Sequence, residues 1–493
     1  MTRITIDPVT RLEGHARIEI LLDEAGDVAR TYFQVPELRG FERFCIGRPV
    51  EEMPILTNRI CGVCPEAHHM ASAKAADAVY GLVPPRPARL LRELLYSAFY
   101  FADHTTHFYA LGGPDFIIGP EAPAAERNLL GVAAKVGPAV AGNVLEARRA
   151  GHRVIELIGG RKVHPVSAIP GGLTKSISEA ERSEVEGLGR WAVEFAQGTL
   201  QLFEEAVLAE PAYRDLLLGD AYADRTHYLG LVDEAGRVAF YDGQVRVVDP
   251  DGRPLGNFSG LEYRDWIAER VEPWTYLKFP YLRPVGWRGL VDGSDSGVYC
   301  VGPLGRLNVA DGMATPLAQA EFERYHATLG SRGPDGRSVV HNRLGMHWAR
   351  LIELLQAAER MVELATDPEV TSPDVRVVAE AVAGEGVGIV EAPRGTLIHH
   401  YRTDERGLLT NVNLIVGTTH NYAPICLSVE RAARSLIHAG SPVTDGLLNR
   451  IEMAFRAYDP CFGCATHALP GRMPLEVTVR DVAGAIVQVA RRD

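Results

Sequence analysis

Near the start of the chain, hydrophobic positions alternate with polar ones. ITI, HARIEILLD and DVARTYFQV each read as a short strand, with a turn at Gly26–Asp27 and RLEGH (Arg11–His15) interrupting the run. From Pro87 the period changes. Leu90, Leu94, Leu95, Ala98, Phe101 and Ala102 recur at helical spacing. Further helices are predicted at about 124–158, 178–209, 316–329, 340–366 and 427–457. Pro87 suits a first helical turn, and Ser178 with Glu181 has the form of a capping box. Residues 220–310 mix turn signals with strand-like runs, which predicts a β-rich insertion. The last stretch, PLEVTVRDVAGAIVQVARR, alternates like a hairpin turning at Gly484. The expected class is mainly α with peripheral β: a large helical-bundle core with β-rich N- and C-terminal edges, one domain over residues 1–493.

Composition narrows the function classes. The chain has 493 residues, 46% hydrophobic and 23% charged, the balance of an ordinary globular protein. A net charge of −12 argues against nucleic acid as a partner, because phosphate binding needs clustered Lys and Arg. No apolar run is long enough to span a membrane, and the N-terminus has no apolar signal core, so a cytoplasmic location is expected.

There are seven cysteines, Cys45, Cys61, Cys64, Cys300, Cys426, Cys461 and Cys464. An odd number without a secretory signal is not a disulfide framework. Four fall in two Cys-x-x-Cys units, RICGVCP (Arg59–Pro65) and DPCFGCATH (Asp459–His467). Each unit can offer two thiolates to one ion. A zinc ribbon is the commoner use of such units, but its pairs lie close in sequence, and here Cys461 follows Cys64 by 397 positions. Thiolates also suit nickel, copper(I) and iron–sulfur centres. Residue chemistry therefore reaches one four-sulfur metal site and leaves the metal open, with structural zinc between the chain ends as an alternative.

The surrounding words are more specific. RICGVCP, DPCFGCATH, the opening DPVTRLEGH and the internal EAPRG (Glu391–Gly395) together resemble the large subunit of nickel–iron hydrogenases, in that family's order and over nearly the whole chain. The resemblance implies that family's fold and the reversible, heterolytic cleavage of H2 to protons and electrons. It implies a Ni–Fe centre with CO and cyanide ligands on iron. Cys61 and Cys461 would bridge the metals, and Cys64 and Cys464 would be terminal on nickel. Glu13 matches a proton-transfer glutamate beside a terminal cysteine. Arg394 would stand over the open metal position and donate to a cyanide, held by Asp103 and Asp459. His68 matches a histidine near a bridging cysteine. Thr418 matches a hydroxyl that donates to the second cyanide, although Gly417 and His420 stand where the family has Pro and Trp.

A second ion, Mg (or Fe) near the C-terminus, is implied with Glu42, the Leu414 carbonyl and His467 as ligands. Hard oxygens suit magnesium. Twenty-six residues follow His467. The resemblance implies that 468–493 is a maturation peptide removed by an endopeptidase once a nickel chaperone has delivered its metal. No cluster-binding cysteine motif remains, so electrons would leave through an iron–sulfur small subunit, then through further electron-transfer subunits. The segment VGPLGRLNVADG and the tail resemble the cytoplasmic multimeric hydrogenases, NAD(P)-linked or viologen-reactive and heterodisulfide-linked. A related quinone-oxidoreductase subunit shares the fold but lacks the four cysteines. A hydrogen-sensing relative, or a zinc-stapled non-catalytic subunit, are the alternatives.

Overall fold

The structure is a computed structural model and describes residues 2–379, 384–440, 442–468, 475–481 and 485–492. Three antiparallel strands, Thr2–Ile6, Arg17–Leu22 and Val28–Gln34, form a sheet in sequence order, as the early alternation predicts. Ile18, Ile20 and Phe33 point inward from it and are buried. The helix Arg86–Thr106 starts with Pro87 in its first turn, and its apolar stripe packs against Pro138–Gly159 and Met346–Ala365. Glu179–Phe203 packs on Met346–Ala365 in turn, and its capping box is present: Ser178 Oγ accepts from the Glu181 N–H, and Ser178 N–H donates to the Glu181 carboxylate. These helices share one apolar core with the first sheet and the C-terminal helices.

Three departures have physical reasons. The single helix expected at 427–457 is two, Tyr422–Leu436 and Asp445–Arg456, the second capped by Thr444 Oγ1. Gly440 at positive φ and Pro442 lie between them. The helix expected from 340 starts at Met346, after a tight turn that Asn342 caps. A fifteen-residue helix, Pro65–Val79, carries no visible period because it is buried on nearly every side. It packs against an antiparallel sheet, Glu385–Ala392, Gly395–Thr403 and Leu409–Ile415. That approach needs glycine: a Cβ at Gly388 would stand 2.0 Å from the Ala71 carbonyl oxygen of the helix.

The 220–310 region contains the expected strands, including His227–Val232, Gln244–Val248 and Pro254–Phe258 in a four-stranded sheet with Tyr299–Cys300. The tail pairs Leu475–Arg480 with Ile486–Arg492 antiparallel, whereas the turn at Gly484 lies outside the described residues. Among the described residues, no helix is long and apolar enough to cross a membrane.

Candidate metal centre

The two ends of the chain meet at one point. Phe462 N–H donates to the Glu13 carbonyl at 3.0 Å, and Glu13 forms an isolated parallel bridge with Cys461. Cys461 then opens a short helical turn, Phe462–Ala465, that carries Cys464. Cys61 precedes Pro65–Val79, and Cys64 is its N-cap; the neighbouring Cys61 and burial push the Cys64 thiol up to about 11 in spite of the helix N-terminus.

The four sulfurs converge. Sγ–Sγ distances are 3.3 Å for Cys61–Cys461, 3.1 Å for Cys64–Cys464 and 2.9 Å for Cys461–Cys464. All four sulfurs lie within 4.8 Å of one another and all four residues are buried. Hydrogen bonds from Cys461 and Cys464 hold Cys61 well below the ordinary thiol value, while burial holds Cys461 and Cys464 well above it. Four buried thiolates this close would repel one another, so ionising the set needs a cation among them. A soft divalent metal fits both the charge and the donor set.

Arg394 occupies the two-residue turn between Glu385–Ala392 and Gly395–Thr403, whose ends pair as Ala392 with Gly395. Its Nη1 meets Asp103 at 3.0 Å and its Nη2 meets Asp459 at 2.8 Å, with all three residues buried. Asp459 adopts positive φ (55°), an uncommon backbone state for a non-glycine residue. Burial pushes its carboxyl up to about 7 despite the guanidinium beside it. Gly417 packs against the turn so closely that a Cβ would lie 2.8 Å from Gly395 N. Thr418 Oγ1 accepts from the Cys461 N–H at 2.9 Å, which leaves its own O–H to donate elsewhere. His420 Nδ1 faces the Tyr299 hydroxyl at 2.5 Å, away from the sulfurs' hydrogen bonds.

Two expectations do not fit together. Glu13 was expected beside a terminal cysteine and His68 beside a bridging one. Glu13 Oε2 accepts from Cys461 Sγ at 3.0 Å, and Cys461 was expected to bridge. His68 Nε2 lies 3.4 Å from Cys464 Sγ, and Cys464 was expected to be terminal. The neighbours and the roles cannot both hold as the resemblance assigned them.

The second cluster also assembles. His467 Nε2 is 2.6 Å from the Leu414 carbonyl oxygen and 3.7 Å from Glu42 Oε1, and Glu42 accepts from the Leu414 N–H at 2.8 Å. His467 Nδ1 faces another carbonyl, that of Cys464, at 2.7 Å. A neutral imidazole has one N–H, yet both nitrogens face oxygens that only accept. With Nδ1–H on the Cys464 carbonyl, the Nε2 lone pair, the Leu414 carbonyl and the Glu42 carboxylate are three ligand atoms that a cation could share.

Sequence reasoning missed two supporting groups. Glu391 is fully buried, accepts from Thr396 Oγ1 at 2.6 Å and pairs with Arg306 at 2.7 Å, anchoring the strand that leads to Arg394. His399 Nε2 meets His68 Nδ1 at 3.1 Å, and its Nδ1 meets the Tyr401 hydroxyl at 2.6 Å. EAPRG contains Glu391, so that signal was present; nothing around His399 marked it.

A family model described as nickel-dependent hydrogenase matches residues 39–136 and 295–467, and one described as HoxL-like matches 3–38. The chain is 49% identical over 491 residues to an iron–sulfur subunit of the F420-non-reducing hydrogenase of Archaeoglobus profundus, covering 100% of both. It is 38% identical to the beta subunit of the NAD-reducing hydrogenase HoxS of Cupriavidus necator, covering 99% of each. Among solved structures, an NAD+-reducing [NiFe]-hydrogenase in the H2-reduced state superimposes with a TM-score of 0.87 at 37% identity, over 95% of this chain and 100% of that one.

Proposed function

The chain belongs to the nickel-dependent hydrogenase family as the catalytic subunit that cleaves H2, and from that premise we propose how its residues divide the work. Cys61, Cys64, Cys461 and Cys464 hold a Ni–Fe centre whose iron carries CO and cyanide. When bound, the centre supplies the site that polarises H2.

The observation that carries the division of roles is the Glu13–Cys461 hydrogen bond. A thiolate that donates to one metal stays more basic than one that donates to two, and so takes a proton more readily. A carboxyl relay therefore belongs at a terminal sulfur. On this reading Cys461, and Cys61 as the first cysteine of the other Cys-x-x-Cys unit, would be the terminal ligands, and Cys64 and Cys464 would be shared between the metals, the reverse of the expectation from resemblance. Glu13 takes the proton from Cys461 Sγ and passes it to an open, roughly 490 Å3 cleft lined by His15, Glu37 and Arg39. His68 steadies Cys464. Arg394 holds its planar fork over the centre, aimed by Asp103 and Asp459, and Thr418 donates its free hydroxyl to a cyanide.

Electrons leave by another face. Val63, between the buried Cys61 and Cys64, is 41% exposed, so the metal-binding loop reaches the surface there. That loop is the docking face for an iron–sulfur small subunit, with further electron-transfer subunits beyond it. Glu42, Leu414 and His467 hold magnesium or iron. Residues 1–467 act as one domain, cytoplasmic in location, and 468–493 is a peptide that an endopeptidase removes after a nickel chaperone has loaded the site.

Infrared spectroscopy and metal analysis of the matured complex test the reading. CO and cyanide stretches with nickel and iron present are expected; zinc without nickel or iron defeats it.

A further inference from the structure

The helices Arg86–Thr106 and Met346–Ala365 pack side by side behind Arg394. Along their seam, polar atoms are buried with no hydrogen-bonding partner among the described residues. Three are donors: Arg350 Nε, Arg350 Nη2 and Arg394 Nε. Asp103 Oδ1 is an acceptor. His104 Nε2 lies 3.0 Å from a Glu353 carboxylate oxygen, so that nitrogen carries the proton and the orphaned Nδ1 is bare. His107 Nε2 lies 3.0 Å from the Arg456 carbonyl, which leaves its orphaned Nδ1 bare too. Arg350 interacts electrostatically with Asp459, Glu353, Arg394 and Asp103, and with His104 and His107, so these groups form one cluster. Its only hydrogen bond among the described residues is from Nη1 to the Ala457 carbonyl at 3.1 Å.

A buried polar atom left without a partner is costly, and a buried cation more so. Donors and acceptors alternate here, which identifies the occupant. An anion would satisfy the guanidinium nitrogens but would face the Asp103 carboxylate and two imidazole lone pairs. A metal cation would meet two arginines. Water both donates and accepts, and buried water typically makes about three such bonds. The backbone opens beside it: after Thr106 the helix widens to an i→i+5 turn, with Gly113 N–H donating to the Phe108 carbonyl at 2.7 Å.

We propose that this seam holds a chain of ordered water linking Arg350 to Asp103 and Arg394, and that Arg350 is thereby a positioning residue for Arg394. The significance for catalysis rests on the Ni–Fe reading above; the water does not. Arg394 meets Asp103 and Asp459 through its Nη groups, so the water fixes its Nε–H and with it the plane of the fork.

Crystal structures of the nickel-loaded complex, wild type, Arg350→Met and Arg350→Lys, soaked in bromide, test this together with their infrared spectra. Wild type should show water density within hydrogen-bonding distance of Arg350 Nη2, Arg394 Nε and Asp103 Oδ1, with no bromine peak. Arg350→Met should lose that water, tilt the Arg394 guanidinium and shift the diatomic-ligand bands, and Arg350→Lys should shift them less. A dry seam, a bromine peak, or unmoved bands in Arg350→Met would overturn the proposal, as would equal shifts in both variants. If the methionine variant does not fold, the wild-type density and the lysine variant decide. Wild type without CO or cyanide bands defeats the Ni–Fe reading, while its seam density still decides this one.

Discussion

Glu13 and Cys461 stand 448 positions apart in sequence and are joined by a 3.0 Å hydrogen bond from thiol to carboxylate, beside a backbone bridge between the same two residues. The side-chain contact is therefore held at both ends by main chain. A relay needs that rigidity, because proton transfer depends on sub-ångström donor–acceptor geometry. Glu13→Gln keeps the shape and removes the transferable proton. H2-driven dye reduction should fall on the order of 10²–10⁴-fold, with nickel and iron content unchanged. Wild-type turnover in Glu13→Gln would remove Glu13 from the proton route.

Cys464→Ser replaces a soft sulfur with a hard oxygen in a set whose four sulfurs all lie within 4.8 Å of one another. The variant should lose H2-driven dye reduction altogether, and nickel content should drop with it. Full activity in purified Cys464→Ser would mean that this sulfur is no ligand.

Arg394 balances two buried acids. Arg394→Met strands both Asp103 and Asp459, which should destabilise the chain by about 3–5 kcal/mol in urea unfolding. Adding Asp459→Asn should recover part of that loss. Equal destabilisation in the single and double variants would show that the pairing is not the cause.

The tail prediction needs only a mass spectrum. Nickel-loaded protein should end at His467, whose carbonyl accepts from the Glu42 N–H at 3.3 Å and whose ring faces Leu414. Intact mass still including Asp493 in the loaded protein would contradict it.

His69 sets a pH limit on stability. Its Nδ1–H donates to the Pro54 carbonyl at 2.8 Å and its Nε2 accepts from the Ala168 N–H at 3.0 Å, so the neutral ring is fully bonded. Burial pushes it down from 6.5 to about 4. The folded-state value is depressed, so its contribution is complete above about pH 6.5 and is lost as pH falls toward 4, at most roughly 3 kcal/mol. Denaturation midpoints measured between pH 8 and 4 should fall in that window, and His69→Asn should flatten the fall. An unchanged slope in the variant would assign the effect elsewhere.

The sequence exposed the site better than the scaffold around it. The cysteine words, DPVTRLEGH and EAPRG carry the family resemblance, and that resemblance named Glu13, Arg394, Asp103 and Asp459 before any fold was known. The helix Arg86–Thr106 was legible because Arg86, Arg89, Arg92 and Glu93 interrupt its apolar positions at helical spacing, although most of the helix is buried. Pro65–Val79 was not, because burial on all sides erases the period. The Glu385–Ile415 sheet was missed for the same reason: residues from Ile389 to Tyr401 are buried on both faces, and alternation is a signature of half-buried strands. The pairing of Glu13 with Cys461 and of His68 with Cys464 is a three-dimensional relation that no local pattern encodes.

The bridge between Glu13 and Cys461 also bears on synthesis. A ribosome that has made four-fifths of this protein has released two of the four site thiols, the relay glutamate and every large helix up to Ala365, but no closed set of sulfurs. The second pair arrives with the last few dozen residues. Until then an ion meets half a site, too few donors to retain it against cellular thiols. Metal retention thus reports that translation has finished, and a chain cut short is left metal-free instead of partly armed.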